Sequence, residues 1–144
     1  MPSPVIDSAL SHDGKVIYYS SNCEAGDALD IDRRHLWKND TRGGRPKTLT
    51  SGRSIETDPV PVGNDGRLAF REAGVRYPTG VSMIDVNGRN HARVYPQSLP
   101  ADYPAQQMAE PQQAVFQSAD GLNIHGQLFL PERSRSPGAC RRHR

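Results

Sequence analysis

Apolar residues along this chain come in short, compact clusters, with no stripe at helical spacing. Val16–Tyr19 and Leu68–Phe70 are runs of aliphatic and aromatic residues, and Val81, Met83, Ile84, Leu122, Ile124, Leu128 and Leu130 fall in further clusters, with Gly, Pro, Asn and Asp between them. That alternation of strand-favouring clusters with turn formers predicts short strands joined by tight turns. Two stretches answer each other: "SALSHDGKVIYYSSN" (Ser8–Asn22) and "VPVGNDGRLAFREAG" (Val60–Gly74) each place Asp-Gly before a basic residue and an apolar run. Asp-Gly tolerates the positive φ of a hairpin turn, so the run that follows is the returning strand. Asp13-Gly14 and Asp65-Gly66 are 52 residues apart, near the period of a propeller blade with a modest insertion.

A second pair follows. "HLWKNDTRGGRPKTLTSG" reads as strand, Gly-Gly turn and strand ending at Leu49-Thr50; "GVSMIDVNGRNHARVYP" reads as strand, Asn87-Gly88 turn and strand ending at Val94-Tyr95. The pattern therefore predicts two four-stranded antiparallel meanders, near Val5–Thr50 and Glu56–Tyr95, packed face to face. Val16, Tyr18, Leu68, Phe70 and Met83 are the expected buried positions. "VIYY" and "RLAF" are not cleanly alternating, as expected of strands covered on both faces. "CEAGDALDIDRR" is the polar loop that lengthens the first meander. "PQSLPADYPAQQMAEP" (Pro96–Pro111) holds four prolines and reads as an extended connector. A third Asp-Gly hairpin then turns at Asp120-Gly121, with strands near Ala114–Gln117 and Leu122–Leu130. The resulting division is a pair of meanders over 1–95, a connector over 96–111, a separate hairpin over 112–131, and a disordered Arg-rich tail over 132–144. The fold class is all-β.

Composition sharpens this picture. Hydrophobic residues are 35% of 144 and aromatics 6%, so the core is thin. The net charge of +2 belongs to the tail: residues 132–144 hold five Arg and one Glu, leaving 13 basic and 15 acidic groups in the rest. The body carries no nucleic-acid footprint, and the tail lacks the aromatic interleaving and folded support of an RNA- or DNA-binding arm. No apolar run approaches the ~18 residues of a membrane span, and "MPSPVIDSAL" lacks signal-peptide character. No nucleic-acid or membrane partner is expected, and compartment and oligomeric state are not specified.

Individual residues offer little chemistry. Cys23 and Cys140 have no CxxC spacing, and no disulfide between them is expected. Asp27, Asp30 and Asp32 invite comparison with a calcium loop, but Arg33-Arg34 replaces the glycine turn and distal Glu that such loops need, so a solvated loop is expected. His12, His35, His91 and His125 show no i, i+4 pairing or Cys partner and read as turn or surface histidines rather than metal ligands. Trp37 lies in an apolar strand and reads as core rather than a stacking platform. No cofactor and no metal are expected.

The order of these motifs carries a resemblance. "LSHDGKVIYYSSN" with "GGRPKTLTSG", then "NDGRLAFRE" with "VSMIDVNGR", resembles the TolB-like blades in the β-propeller of prolyl oligopeptidase-family serine peptidases. "PQQAVFQSADGLNIHGQLFLP" is similar to the segment that leaves that propeller and opens the α/β-hydrolase domain. The dipeptidyl-peptidase IV and acylaminoacyl-peptidase branch is the nearest in character, and the resemblance covers about residues 5–131. It implies two propeller-type blades that, in a parent enzyme, restrict access of peptide substrates to a catalytic cleft.

The resemblance also marks a departure. In that family "LFLP" leads to an apolar strand ending in a His-Gly-Gly oxyanion motif, whereas "ERSRSPGACRRHR" follows here, as a frameshift or mis-called gene end would produce. The family nucleophile sits in G-x-S-x-G. Gly52-Arg53-Ser54-Ile55-Glu56 and Gly80-Val81-Ser82-Met83-Ile84 both lack the closing glycine, so no catalytic residue carries over. The expectation is a truncated, inactive piece of a serine peptidase. The alternative is a TolB-like binding module without catalytic ancestry.

Overall fold

The computed structural model describes residues 7–22 and 33–130. The expected loop aspartates Asp27, Asp30 and Asp32, both cysteines and the Arg-rich tail lie outside the described residues. Within them the chain is all-β, with a single 3₁₀ turn at Ala105–Gln107 and no α-helix. β1 (Ser8–Leu10), β2 (Val16–Ser21), β3 (His35–Asp40) and β4 (Lys47–Thr48) form one antiparallel sheet in sequence order. β5 (Ile55–Val62), β6 (Arg67–Gly74), β7 (Tyr77–Asp85) and β8 (Ala92–Tyr95) form a second, and β9 (Gln112–Gln117) pairs with β10 (Asn123–Leu128) as a hairpin. The chain divides into two compact units between Gln106 and Gln107, the four-stranded sheets in the first and the hairpin in the second.

The repeat seen in the sequence is a repeat of turns. Gly14 and Gly66 both adopt φ of +68°, the left-handed conformation that a side chain disfavours. The residue two places after each glycine pairs into the next strand: Val16 lies opposite Asp40 in the first sheet, and Leu68 opposite Ile84 in the second.

The core of the first unit lies between the two sheets. Tyr18, Leu36 and Leu49 meet Leu68, Phe70 and Ile84, with Val16 and Val86 packed at the margin. Strand periodicity explains the selection. Leu68, Phe70 and Glu72 alternate along β6 and face the first sheet, and across β7 the inward positions are Gly80, Ser82 and Ile84. Met83 falls between two inward residues, so it points to the opposite face beside Ala69 and is half-buried; the expectation that it joins the core is corrected. Val16, at the edge of the cluster, is half-buried rather than buried. Tyr18, Leu68 and Phe70 lie in the core as the pattern predicts.

β5 bends to hold both sheets. Its register with β6 shifts between Thr57 and Val60, where Asp58 takes φ of +53° and the following Pro59 is buried. Such a bulge adds twist at an edge, and Asp58 is held in place by Arg71 Nη1 at 3.1 Å.

Position decides how much each core residue contributes. Leu68→Ala, at a site with no exposure, is expected to lower stability by about 2–5 kcal/mol. Met83→Ala on the other face should cost clearly less. Gly80→Ala should also destabilise, because a Cβ there would lie 2.3 Å from the carbonyl oxygen of Tyr95 and force β8 away. Urea denaturation of the three variants checks the ranking.

Candidate functional site

The inner face of the second sheet is apolar toward its turn end and polar at the other, where two glutamates stand side by side. Glu56 on β5 and Glu72 on β6 are cross-strand partners, and both are buried, at 0% and 6% exposure. An ionised carboxylate without water requires hydrogen bonds to every lone-pair region it can reach.

Glu56 finds its partners across the sheet interface. His35 Nδ1 lies 2.8 Å from Oε2, and the Thr50 hydroxyl donates to the same oxygen at 2.8 Å. The Ser54 hydroxyl donates to Oε1. Its backbone is tied as well: Glu56 N donates to the Arg34 carbonyl at 2.9 Å, and the Ser20 hydroxyl donates to the Glu56 carbonyl at 2.9 Å. Thr50 Oγ1 in turn accepts from Leu36 N at 2.8 Å. Elements β2, β3 and the segment after β4 thus all converge on one residue of β5.

Glu72 is satisfied within its own sheet. Ser82 Oγ donates to Oε2 at 2.5 Å, His91 Nε2 lies 3.2 Å from the same oxygen, and the Tyr77 hydroxyl donates to Oε1 at 3.2 Å. Burial raises the Glu72 carboxyl, but Ser82, His91 and Tyr77 together outweigh it and hold the group below its ordinary value. The same burial, reinforced by the Glu72 charge, raises the Tyr77 phenol, which also interacts with Ser54. Tyr77 thus belongs to the Glu72 cluster. Its ring carries the Arg93 guanidinium 4.7 Å from the centroid, and Phe70 meets the His91 ring at 5.4 Å.

As chemistry, this arrangement holds rather than reacts. The two serines nearest the carboxylates, Ser54 and Ser82, donate to glutamates, so neither hydroxyl is poised by a histidine as a nucleophile must be. Ser82 sits in the middle of β7 and Ser54 in the bend before β5, neither at a strand-to-helix turn. Among the described residues no three His, Cys, Asp or Glu side chains converge as a metal would require.

The histidines part company. His12 is exposed in the first Asp-Gly turn, and His125 is half-buried in β10 opposite Val115. His91 is 39% exposed at the side chain and pairs with Glu72. His35, expected in a turn or at the surface, is instead 2% exposed in β3; the Glu56 carboxylate supplies the partner that makes its burial tolerable. Trp37 is buried in the same strand, where its indole N–H has no hydrogen-bond partner. Sequence reasoning missed Glu56 and Glu72 altogether. The available signal was the inverted alternation of "IET", in which Ile55 is 40% exposed while Glu56 has no exposure.

No family model matches the chain, and no curated protein matches it. Solved structures do share its fold. An AtxE2 isopeptidase variant with Astexin3-dC4 bound superposes with a TM-score of 0.65 at 10% identity, over 93% of this chain and 19% of that one. AtxE2 isopeptidase in its apo form gives 0.65 at 11% identity, over 91% and 19%. A puromycin hydrolase mutant complexed with PGG gives 0.63 at 18% identity, over 87% and 17%. This chain spans about a fifth of the length of these proteins. At such identities the likeness is one of fold, and the fold is of a kind that a peptidase and a hydrolase also carry.

Removing the Glu56 carboxylate should be severe. Glu56→Ala leaves His35, Thr50 and Ser54 facing a void and is expected to cost about 3–5 kcal/mol in urea denaturation. Glu72 sets a pH dependence. Its folded value is depressed, so the stability it contributes is present above the unfolded value and is lost as pH falls through the folded one. The denaturation midpoint should therefore drop below about pH 4, and Glu72→Gln should flatten that drop while lowering stability at neutral pH by about 1–3 kcal/mol.

Proposed function

We propose that this chain corresponds to the final propeller blades and the hydrolase-opening hairpin of a serine peptidase of the prolyl oligopeptidase type. The dipeptidyl-peptidase and acylaminoacyl-peptidase branch is the nearest in motif character. In such a parent the two sheets form part of a wall that limits which peptides reach the catalytic cleft. The parent's nucleophile, acid and base belong to the hydrolase domain. The observation that carries this reading is the order of parts. This chain carries two four-stranded meanders, then a proline-rich connector, then a separate Asp-Gly hairpin, and 93% of it superposes on the AtxE2 isopeptidase and 87% on puromycin hydrolase. A free-standing binding propeller has no need of the connector or of a hairpin outside its sheets.

The role assigned to the chain is shape rather than chemistry, and the buried Glu56–Glu72 network suits it. Acyl transfer needs a serine activated by histidine, an orienting acid and oxyanion donors held together. Ser54 and Ser82 are committed to carboxylates and supply no such set.

The purified chain is accordingly expected to hydrolyse neither chromogenic Xaa-Pro nor acyl-amino-acid substrates. Turnover abolished by a serine-directed phosphonate would overturn that expectation. The ancestry is tested separately in the DNA downstream of the gene. A displaced open frame encoding His-Gly-Gly and a later G-x-S-x-G supports the peptidase reading, and the lack of one in every frame favours the binding module.

A further inference from the structure

Where the β3–β4 turn of the first sheet approaches the end of β7, a groove of about 360 Å³ opens. Its size falls at the lower end of small-ligand sites, which run about 300–1,000 Å³. Val16, Tyr18 and Val86 give it an apolar floor, and Lys38, Arg45 and Lys47 line it with cations. The balance of charge is one-sided. Asp40, the acid in the lining, is already gripped by Arg42, whose Nε and Nη2 lie 3.1 Å from its two oxygens. Arg45 and Lys47 are exposed and form no ion pair among the described residues. Lys38 is half-buried, and its ammonium donates to a carbonyl, that of Val86, at 2.5 Å. A partly desolvated ammonium held by a neutral acceptor leaves positive charge that an anion would neutralise.

A second groove of about 330 Å³ shares Tyr18 and Val86 as lining. Its charged groups are already paired: Asp13 with Lys15 at 3.4 Å and Arg67 with Asp65 at 2.6 Å. The two grooves together offer a cationic pocket followed by a neutral, partly apolar track. We propose that they bind an acidic peptide segment, its carboxylate against Lys38, Arg45 and Lys47 and its backbone laid across Tyr18 and Val86. This inference stands apart from the catalytic ancestry proposed above, since it rests on side chains of the two sheets alone.

Fluorescence anisotropy of a labelled Ala-Glu-Glu-Ala peptide titrated with the full chain tests it. Saturable binding is expected, with Ala-Gln-Gln-Ala much weaker, and binding should fade as salt shortens the screening length from about 30 Å at 0.01 M to about 3 Å at 1 M. The double variant Arg45→Glu, Lys47→Glu changes exposed side chains outside the core and should retain the wild-type circular dichroism spectrum. It should weaken binding by about tenfold or more. Lys38→Met should weaken binding in the same direction. Equal affinity for the glutamine peptide, no saturable binding, or indifference to the charge reversal would each overturn the proposal. So would displacement by inorganic phosphate as effective as that by unlabelled acidic peptide, because the site would then be a simple anion site.

Discussion

A carboxylate with no exposure to water fixes the arrangement of the first unit. Apolar contact between the sheets is non-directional: Tyr18 and Leu36 would gain nearly as much against Phe70 and Leu68 after a small slide. Glu56 removes that freedom. Its side chain needs His35 from β3, Thr50 from the end of the first sheet and Ser54 from the bend before β5, all within hydrogen-bond reach at once. Its backbone needs Arg34 and Ser20. A shift of one residue in β5 would turn Glu56 outward and bring Ile55 or Thr57 in, and would take the Glu56 carboxylate away from His35 and Thr50. The apolar cluster supplies attraction, and the carboxylate selects one register from those that attraction allows.

Glu72 extends the same logic across the second sheet. The two carboxylates stand on neighbouring strands, yet each is wrapped by its own donors, with Tyr77 among those of Glu72. Hydrogen bonds to charged groups are stronger than neutral ones and demand tighter geometry. The cost of desolvating both carboxylates is offset only when β3, β5, β6, β7 and the turn before β8 are all in place. The Glu56 hydrogen bonds tie the two sheets to one another, and those of Glu72 tie the strands of the second.

Sequence showed the turns and the strand order, because these depend on neighbours. Asp-Gly, Gly-Gly and Asn-Gly each specify a local backbone, and the clusters between them are too short for anything but strands. The inward set was legible where it was apolar, as at Tyr18, Leu68 and Phe70. It was illegible at Glu56, Glu72, Ser82 and His35, since polar residues in strands ordinarily mark the outer face. His35 and Glu56 are 21 residues apart, and His91 and Glu72 are 19 apart. Nothing within either segment encodes the partner. Met83 shows the converse failure: it is apolar like Ile84 beside it, but strand alternation turns Ser82 and Ile84 inward, where the Ser82 hydroxyl meets Glu72.

The described residues of the second unit's hairpin bury no side chain. In this hairpin, Ala114, Phe116, Ile124 and Leu128 share one face with Gln112 and Gly126, while Gln113, Gln117, Asn123 and Gln127 occupy the other with Val115 and His125. The apolar face is open, with Phe116 58% and Leu128 46% exposed, and Asp120 at the turn is the hairpin's one charged residue between Gln112 and Leu130. A two-stranded hairpin is marginal in water even when well paired, and open edges without charge invite further pairing. Local turn chemistry is strong here: Gly121 N donates to the Ser118 carbonyl at 2.9 Å, and the Ser118 hydroxyl donates to the Asp120 carboxylate. A turn so firmly specified, leading strands so apolar on one side, is the pattern of a hairpin built to lie against other sheet or helix. The described residues of the two units thus differ in burial: the first keeps an apolar cluster between its sheets, and the hairpin buries none of its side chains.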